Sequence, residues 1–157
     1  LADVAAHLHG MPHRCEYVGE VGGVSFYDSS VDSSPSRTLS TLRSMPRPPV
    51  LILCGRSKRL PTDILSEMLP HLTTAVVTTG EFGAEMYEKL TADKTFSARG
   101  GRVFSENNLE NAVRTAAALA APHGTVLLSP GATGFDAYKN FDDRGQAFCR
   151  AVKKLET

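Results

Sequence analysis

Three segments of the chain combine polar side chains and small residues in a way that suits the binding of an anion or another polar ligand. Residues 27–35, YDSSVDSSP, offer hydroxyl groups just before a proline that favours a first helical turn. Residues 55–59, GRSKR, bring three cations directly after an apolar run. Residues 129–134, SPGATG, are small enough to let a ligand approach the backbone closely. Helix capping and a solvated loop are the ordinary alternatives for the hydroxyls and the cations.

The segments that flank these loops alternate between short apolar strands and amphipathic helices. Strands are predicted at residues 16–21, 24–27, 50–54, 74–78, 102–104 and 126–128, and helices from Pro35 onwards, around 62–69, through 86–90, at 109–121 and after Asn140. This order predicts a Rossmann-like, three-layer α/β domain, with a mainly parallel sheet of about six strands, an antiparallel N-terminal hairpin and helices on both faces. Because ligands bind beyond the carboxyl ends of such strands, we expect the three polar segments to converge there.

The composition narrows the class of protein. The 157 residues carry 17 Lys plus Arg and 17 Asp plus Glu, and no basic run indicates a nucleic acid or an anionic membrane. The three cysteines are widely spaced, which fits a reducing cytoplasm rather than a disulfide framework. No apolar run reaches the length of a membrane span, and no signal-peptide pattern is visible. The sequence shows no metal-ligand spacing of histidines, no nucleophile elbow and no Walker A phosphate loop.

The last helix is predicted from its cap and its apolar face. Asn140 is a good N-cap, and Asp142 and Asp143 in the first turn complement the positive end of the helix dipole. Phe141 and Phe148 fall on one face together with other apolar residues at spacings of three and four. A core position for Phe141 and a structural role for the two aspartates are therefore the default interpretations.

Four motifs together resemble the C-terminal domain of the Mur ligases. They are MPHR at residues 11–14, DSSVDSSPSRT at 28–38, GRSK at 55–58 and LLSPGATGFDAYKNFDDRG at 127–145. The last motif is the most specific, and the resemblance covers nearly all of residues 11–155. It implies that residues 1–13 are the end of a preceding domain and an interdomain linker, and that residues 14–157 are the amino-acid-binding C-terminal domain.

The resemblance also implies what the whole protein does. Mur ligases are three-domain, cytoplasmic, ATP-dependent enzymes of peptidoglycan synthesis, whose N-terminal domain binds a UDP-sugar. The central domain holds ATP and Mg2+, which would account for the absence of a phosphate loop here. The most similar branch joins D-glutamate to UDP-N-acetylmuramoyl-L-alanine through an acyl phosphate. The implied protein is monomeric, with its other two domains in cis, and we expect this portion to be inactive alone.

Site residues follow from the resemblance position by position. The implied contacts to D-glutamate are made by Lys58, Ser33, Gly134, Phe135 and Phe141. Lys58 would be a buried cation opposite a substrate carboxylate, which is a strong, charge-assisted contact. The implied nucleotide contacts are Arg14 and either Asp28 or Ser29, and no residue is assigned to a metal.

The sequence departs from the family pattern at two of these places. Gly134 stands where the family often has a serine, and Val31 stands where some members have a lysine. These departures leave a ligase that uses another amino acid as an alternative. A non-catalytic Rossmann-like binding module is the alternative from a different functional class.

Overall fold

A six-stranded sheet lies at the centre of the computed structural model, which describes residues 12–134 and 137–157. The strands are β1 (Glu16–Val21), β2 (Val24–Asp28), β3 (Val50–Leu53), β4 (Ala75–Thr78), β5 (Val103–Ser105) and β6 (Thr125–Leu128). Their order across the sheet is β1-β2-β6-β3-β4-β5. The hairpin partner β1 is antiparallel to β2, and all other neighbouring pairs are parallel.

Helices cover both faces of this sheet. In chain order they are α1 (Pro35–Ser44), α2 (Asp63–Leu72), α3 (Gly80–Ala92), α4 (Lys94–Ala98), α5 (Leu109–Ala120) and α6 (Phe141–Lys154). Helices α5 and α6 pack with one apolar cluster, and α1 to α4 pack with a second. The predicted three-layer α/β domain with an antiparallel hairpin is therefore confirmed.

Strand β3 shows why the sequences of the central strands are uninterrupted apolar runs. All four of its side chains are buried, and they alternate between the two clusters: Val50 and Ile52 enter the first, whereas Leu51 and Leu53 enter the second. Such double burial is typical of a parallel strand covered on both faces. The hairpin is equally well specified, because Gly22 and Gly23 both have positive φ angles at its turn.

The helix termini near the polar loops are capped as predicted. Ser34 accepts a hydrogen bond from the Arg37 amide at the start of α1, and Asn140 accepts one from the Asp143 amide at the start of α6. Both helices begin at the carboxyl edge of the sheet, since each follows a strand that ends there. Among the described residues, no helix combines the length and apolar character that crossing a membrane requires.

Two features of the helices differ from the sequence prediction. The short helix α4 was not predicted, because five residues are too few to show a helical period. Phe141 is not in the core: it is the first residue of α6 and its exposed fraction is 42%. The predicted linker at residues 1–13 falls mainly on residues 1–11, which lie outside the described residues.

Candidate functional site

The three polar loops converge at the carboxyl edge of the sheet, as predicted. The loop after β2 meets the loop after β6 through the Gly131 amide, which donates to the Asp32 carbonyl at 3.0 Å. The loop after β3 meets the same segment where the Arg56 amide donates to the Thr133 carbonyl at 2.7 Å. The loop that follows β6 therefore lies between the other two and contacts both.

A buried polar cluster fixes the contact between the first and third loops. The Asp32 carboxylate is 5% exposed and accepts hydrogen bonds from Thr41 Oγ1 and Ser129 Oγ, both at 2.7 Å. Thr38 Oγ1 donates to the Ser129 carbonyl and lies 2.9 Å from Ser129 Oγ. Because burial without partners would be costly, this set of bonds holds Asp32 in one place. The backbone next to Ser33 is fixed with it.

Arg144 of α6 ties the same two loops together from the other side. Its side chain is fully buried, and its two terminal nitrogens each donate at 2.8 Å, one to the Ala132 carbonyl and one to the Ser30 carbonyl. The planar guanidinium suits this task because its N–H groups point in fixed directions. The sequence held a signal for this role: Arg144 lies four residues before Phe148, on the buried face of the last helix.

His13 connects the segment before β1 to this site. Its Nδ1 lies 2.6 Å from Asp28 Oδ2, and its Nε2 lies 2.6 Å from Asp142 Oδ1. A neutral imidazole can donate from only one nitrogen, so the imidazolium is the form that satisfies both carboxylates. Burial alone lowers the pKa of His13, but the hydrogen bonds and charges of Asp28 and Asp142 outweigh it and raise the pKa above the ordinary value.

The structure places the predicted cation Lys58 in an exposed position. Its loop is held by the backbone, through the Arg56–Thr133 bridge and through the Ser57 amide, which donates to Glu81 Oε1 at 3.1 Å. The expectation that Lys58 is a buried cation is therefore wrong for this conformation. Among the described residues, no carboxylate lies within ion-pair distance of its amine. The charge is presented to solvent at the edge of the site.

The other predicted D-glutamate positions lie around the loop that follows β6. Gly134 is buried, and its carbonyl accepts a hydrogen bond from the Tyr138 amide at 2.7 Å. Ser33 is half-buried, with its hydroxyl donating to the Val31 carbonyl at 3.3 Å. Phe141 lies next to His13, with ring centroids 6.2 Å apart. Phe135 lies outside the described residues.

The predicted nucleotide contacts are divided between surface and interior. Arg14 is exposed, whereas Asp28 and Ser29 have no exposed surface. Both carboxylate oxygens of Asp28 are engaged, one by His13 and the other by the Ser30 amide at 2.9 Å. The Ser29 hydroxyl has no hydrogen-bond partner among the described residues. Arg14 is thus accessible from solvent, whereas both oxygens of Asp28 are buried and hydrogen-bonded in this conformation.

This edge of the sheet also holds side chains of the types that can bind metals or act as nucleophiles. Within the described ranges, His13, Glu16 and Asp28 bring potential ligand atoms within 4.8 Å of one another. These atoms already bond one another or the nearby backbone, since Glu16 accepts from the His13 amide at 2.9 Å. A hydrogen-bonded cluster explains the arrangement. Burial raises the pKa of the Cys15 and Cys149 thiols to about 11, so both are protonated at neutral pH and poorly suited to nucleophilic attack.

Several curated proteins similar to the chain carry the name UDP-N-acetylmuramoylalanine–D-glutamate ligase. The protein from Acetivibrio thermocellus is 34% identical over 155 residues, which are 98% of this chain and 33% of that protein. Those from Clostridium botulinum strain 657 and Ruminiclostridium cellulolyticum are 35% and 31% identical, over 97% and 99% of this chain. The chain spans about a third of the length of these relatives. No protein-family profile matches the sequence.

A solved structure shares the fold. The murein peptide ligase of Psychrobacter arcticus superposes with a TM-score of 0.63 over 95% of this chain and 31% of its own, at 15% sequence identity. That identity is too low to carry more than the fold. The sequence similarity to D-glutamate ligases, along a third of their length, and the fold shared with a murein peptide ligase together confirm the resemblance to a Mur ligase C-terminal domain.

Proposed function

We propose that the chain is the amino-acid-binding domain of an ATP-dependent ligase that joins D-glutamate to UDP-N-acetylmuramoyl-L-alanine. The carrying observation is the 34% identity to curated D-glutamate ligases along 98% of the chain. Because the chain matches only a third of those proteins, the UDP-sugar domain and the central domain that binds ATP and Mg2+ would be supplied in cis. We further propose a monomeric enzyme that acts in the cytoplasm in peptidoglycan synthesis.

The proposed reaction has two steps. A carboxylate oxygen of the muramoyl-alanine attacks the terminal phosphorus of ATP, which forms an acyl phosphate and releases ADP. The amine of D-glutamate then attacks the acyl carbon, phosphate leaves and the nitrogen loses a proton. Mg2+, when bound by the central domain, would neutralise the charge of the phosphates. The part of this chain is to hold the amine donor close to the acyl carbon.

The arrangement of the converged loops supports an amino-acid site. Lys58 offers an exposed cation on one side of the loop that follows β6, and Ser33 lies on the other side of that loop. A dicarboxylate bound between them would form charge-assisted hydrogen bonds, which are stronger than neutral ones. The exposed edge of the site would face the domain that carries the acyl phosphate. Closure of the two domains would then exclude water from that reactive intermediate.

The nucleotide side of the site is supported mainly by Arg14. Its exposed guanidinium stands beside His13, at the start of the domain, and suits the phosphate groups of a nucleotide. The carboxylate of Asp28 has no exposed surface, so the residues that cover it would have to move before it could accept a bond from a ribose hydroxyl. We therefore assign direct nucleotide contact to Arg14. Asp28 and Ser29 are buried and would support the site without contacting the nucleotide in this conformation.

The experiment measures phosphate released from ATP by the full-length parent protein. We expect release only when UDP-N-acetylmuramoyl-L-alanine and D-glutamate are both present, because the acyl phosphate turns over when the amine arrives. Omission of each substrate in turn is the control. Phosphate release without a substrate requirement, or a parent that lacks an ATP-binding domain, would contradict the proposal and favour a non-catalytic binding module.

A ligase for another amino acid is the second candidate, and Gly134 is the observation that favours it. A side chain at this position would place its Cβ 3.1 Å from the Asn140 carbonyl oxygen, so a serine would require the neighbouring backbone to shift. The sequence therefore lacks the hydroxyl that the family often uses here, and the Asn140 carbonyl would have to move slightly to admit one. Turnover with a different amino acid, and none with D-glutamate, would establish this candidate.

A further inference from the structure

The segment that carries Arg14 is fixed to the domain at one residue, His13. The His13 carbonyl accepts a hydrogen bond from the Val31 amide at 3.1 Å, and the His13 amide donates to Glu16 Oε1 at 2.9 Å. The ring adds two bonds of 2.6 Å, to Asp28 at the end of β2 and to Asp142 in the first turn of α6. All hydrogen-bonding groups of this residue are thus engaged.

The surroundings are shaped to admit the imidazole ring. A Cβ added to Gly145 would collide with His13 Nδ1 and would come within 2.6 Å of Ser30 Oγ, so only glycine fits beneath the ring. His13 has a φ angle of 64° and Cys15 one of 45°, both in the left-handed region that residues with side chains rarely adopt. Such backbone angles persist where surrounding contacts enforce them. The exposed Arg14 lies between these two residues, so its direction depends on the same contacts.

We propose that His13 is a positioning residue for the nucleotide site: held as an imidazolium between Asp28 and Asp142, it directs Arg14 towards the nucleotide, and affinity for ATP weakens when His13 loses its proton. This inference rests on the proposed ligase function and adds a pH-dependent element to it. Arg14 makes the contact, and His13 acts through it.

The groups that face His13 account for the expected direction of the pH effect. Asp28 approaches from β2, Asp142 from α6 and Glu16 from β1, and all three are carboxylates. The nearby Cys149 thiol has a pKa of about 11 and stays neutral in the relevant range. Because the pKa of His13 is raised in the folded state, its contribution is complete below the unfolded value near 6.5 and is lost as pH rises through the folded value.

The test compares wild-type parent enzyme with the His13→Gln and His123→Gln variants between pH 6 and pH 9.5. We expect the wild-type KM for ATP to rise about tenfold as His13 deprotonates, the size of one charge-assisted contact, with kcat at saturating ATP little changed. His13→Gln should show the high KM at every pH. His123 is an exposed residue before β6, so His123→Gln should keep the wild-type profile.

A second variant and a direct measurement cover the case in which His13→Gln disturbs folding. Asp142→Asn removes one carboxylate whose side chain is 55% exposed, and it should shift the rise in KM to lower pH. Nitrogen-15 NMR of the imidazole in the 157-residue chain should show both ring nitrogens protonated at pH 7, with a titration midpoint above 6.5.

The outcomes separate this proposal from the proposed function. The proposal is overturned if the parent enzyme makes the amide bond and its KM for ATP is unchanged by His13→Gln. It is also overturned if the imidazole is neutral at pH 7. Either result leaves the ligase function standing. A parent that binds no ATP overturns both, and the NMR titration then still reports whether the imidazolium bridges the two aspartates.

Discussion

The two sides of the candidate site are built differently. On one side, the loops after β2 and β6 are joined by buried side chains, with Asp32, Ser129 and Arg144 all at 5% exposure or less. On the other side, the loop after β3 is attached through backbone bonds of Gly55 and Arg56, and its charged side chains face solvent. The first side is held by buried hydrogen bonds, whereas the cations of the second side have no partner carboxylate among the described residues.

This difference indicates that the two sides of the site have different roles in binding a ligand. A buried hydrogen-bond network fixes the backbone around Ser33 and Gly134, so that part of a ligand would meet a preformed surface. The backbone of the exposed loop is held by Arg56 and Ser57, so a carboxylate ligand or the neighbouring domain would need to fix only the Lys58 side chain. Substitutions on the rigid side should therefore act mainly on the stability of the domain. Substitutions on the exposed side should act mainly on catalysis by the parent enzyme.

The largest effect is expected for Arg144→Met. This change removes a fully buried guanidinium and leaves the Ser30 and Ala132 carbonyls without their donors. Each unsatisfied group costs about 1 to 3 kcal/mol, so we expect the free energy of unfolding to fall by roughly 2 to 6 kcal/mol. Chemical denaturation of the 157-residue chain measures it.

Arg150→Met is the matched control for that experiment. It makes the same change on the same helix at an exposed residue, where most substitutions alter stability by less than about 0.5 kcal/mol. Equal losses for the two variants would mean that Arg144 does not join the loops in the way its contacts indicate. If only Arg144→Met lowered the free energy of unfolding, the result would support the conclusion that buried hydrogen bonds hold the first side of the site.

Lys58→Ala should have an intermediate effect, on activity rather than stability. Loss of a charged hydrogen bond of roughly 1.5 to 3 kcal/mol predicts a fall in kcat/KM for D-glutamate of about 10- to 150-fold. Unfolding should be unchanged within about 0.5 kcal/mol, because the side chain is exposed. Steady-state kinetics of the parent and denaturation of the chain supply the two measurements.

Arg59→Ala tests whether this effect belongs to one residue or to the charge of the loop. Arg59 is also exposed and lies one residue further along. If both variants lost activity equally, the loop would act through its general positive potential, and the specific assignment of Lys58 would be wrong. If only Lys58→Ala lost activity, a directed contact would be supported.

The elements that the sequence predicted well are those whose pattern is local. Four consecutive apolar residues mark β3, two glycines mark the hairpin turn, and Ser34 and Asn140 mark the starts of α1 and α6. Convergence of the loops also followed, because parallel strands place their carboxyl ends at one edge. These features depend on a few neighbouring residues or on the order of strands and helices, and both can be inferred from a single sequence.

The features that were missed depend on contacts between distant parts of the chain. His13 and Asp142 are 129 positions apart, and nothing in either neighbourhood marks the pair. Arg144 shares a helical face with Phe148, but arginine is rarely buried unless it is bonded, so this position alone did not mark Arg144 as central to the site. The burial expected for Lys58 was wrong for a related reason: the exposure of a loop is decided by what packs against it, and here nothing in the described ranges covers this side chain.

The smallest effect, and the finest test of the comparison between the two sides, concerns single hydroxyl groups. Thr41→Val keeps the shape of the side chain but removes the hydrogen bond of 2.7 Å from Thr41 Oγ1 to the Asp32 carboxylate. In the exposed loop, Ser57→Ala removes the hydroxyl that accepts a hydrogen bond of 3.2 Å from the Arg59 amide. Thr41 is half-buried and its partner is a buried carboxylate, so we expect a loss of about 1 to 2 kcal/mol in the free energy of unfolding. For Ser57→Ala, water can replace the lost bond, and the change should stay within about 0.5 kcal/mol. If denaturation of the two variants gave equal losses, the rigid side and the exposed side would not differ in the way proposed, and the preformed surface around Ser33 would lose its physical basis.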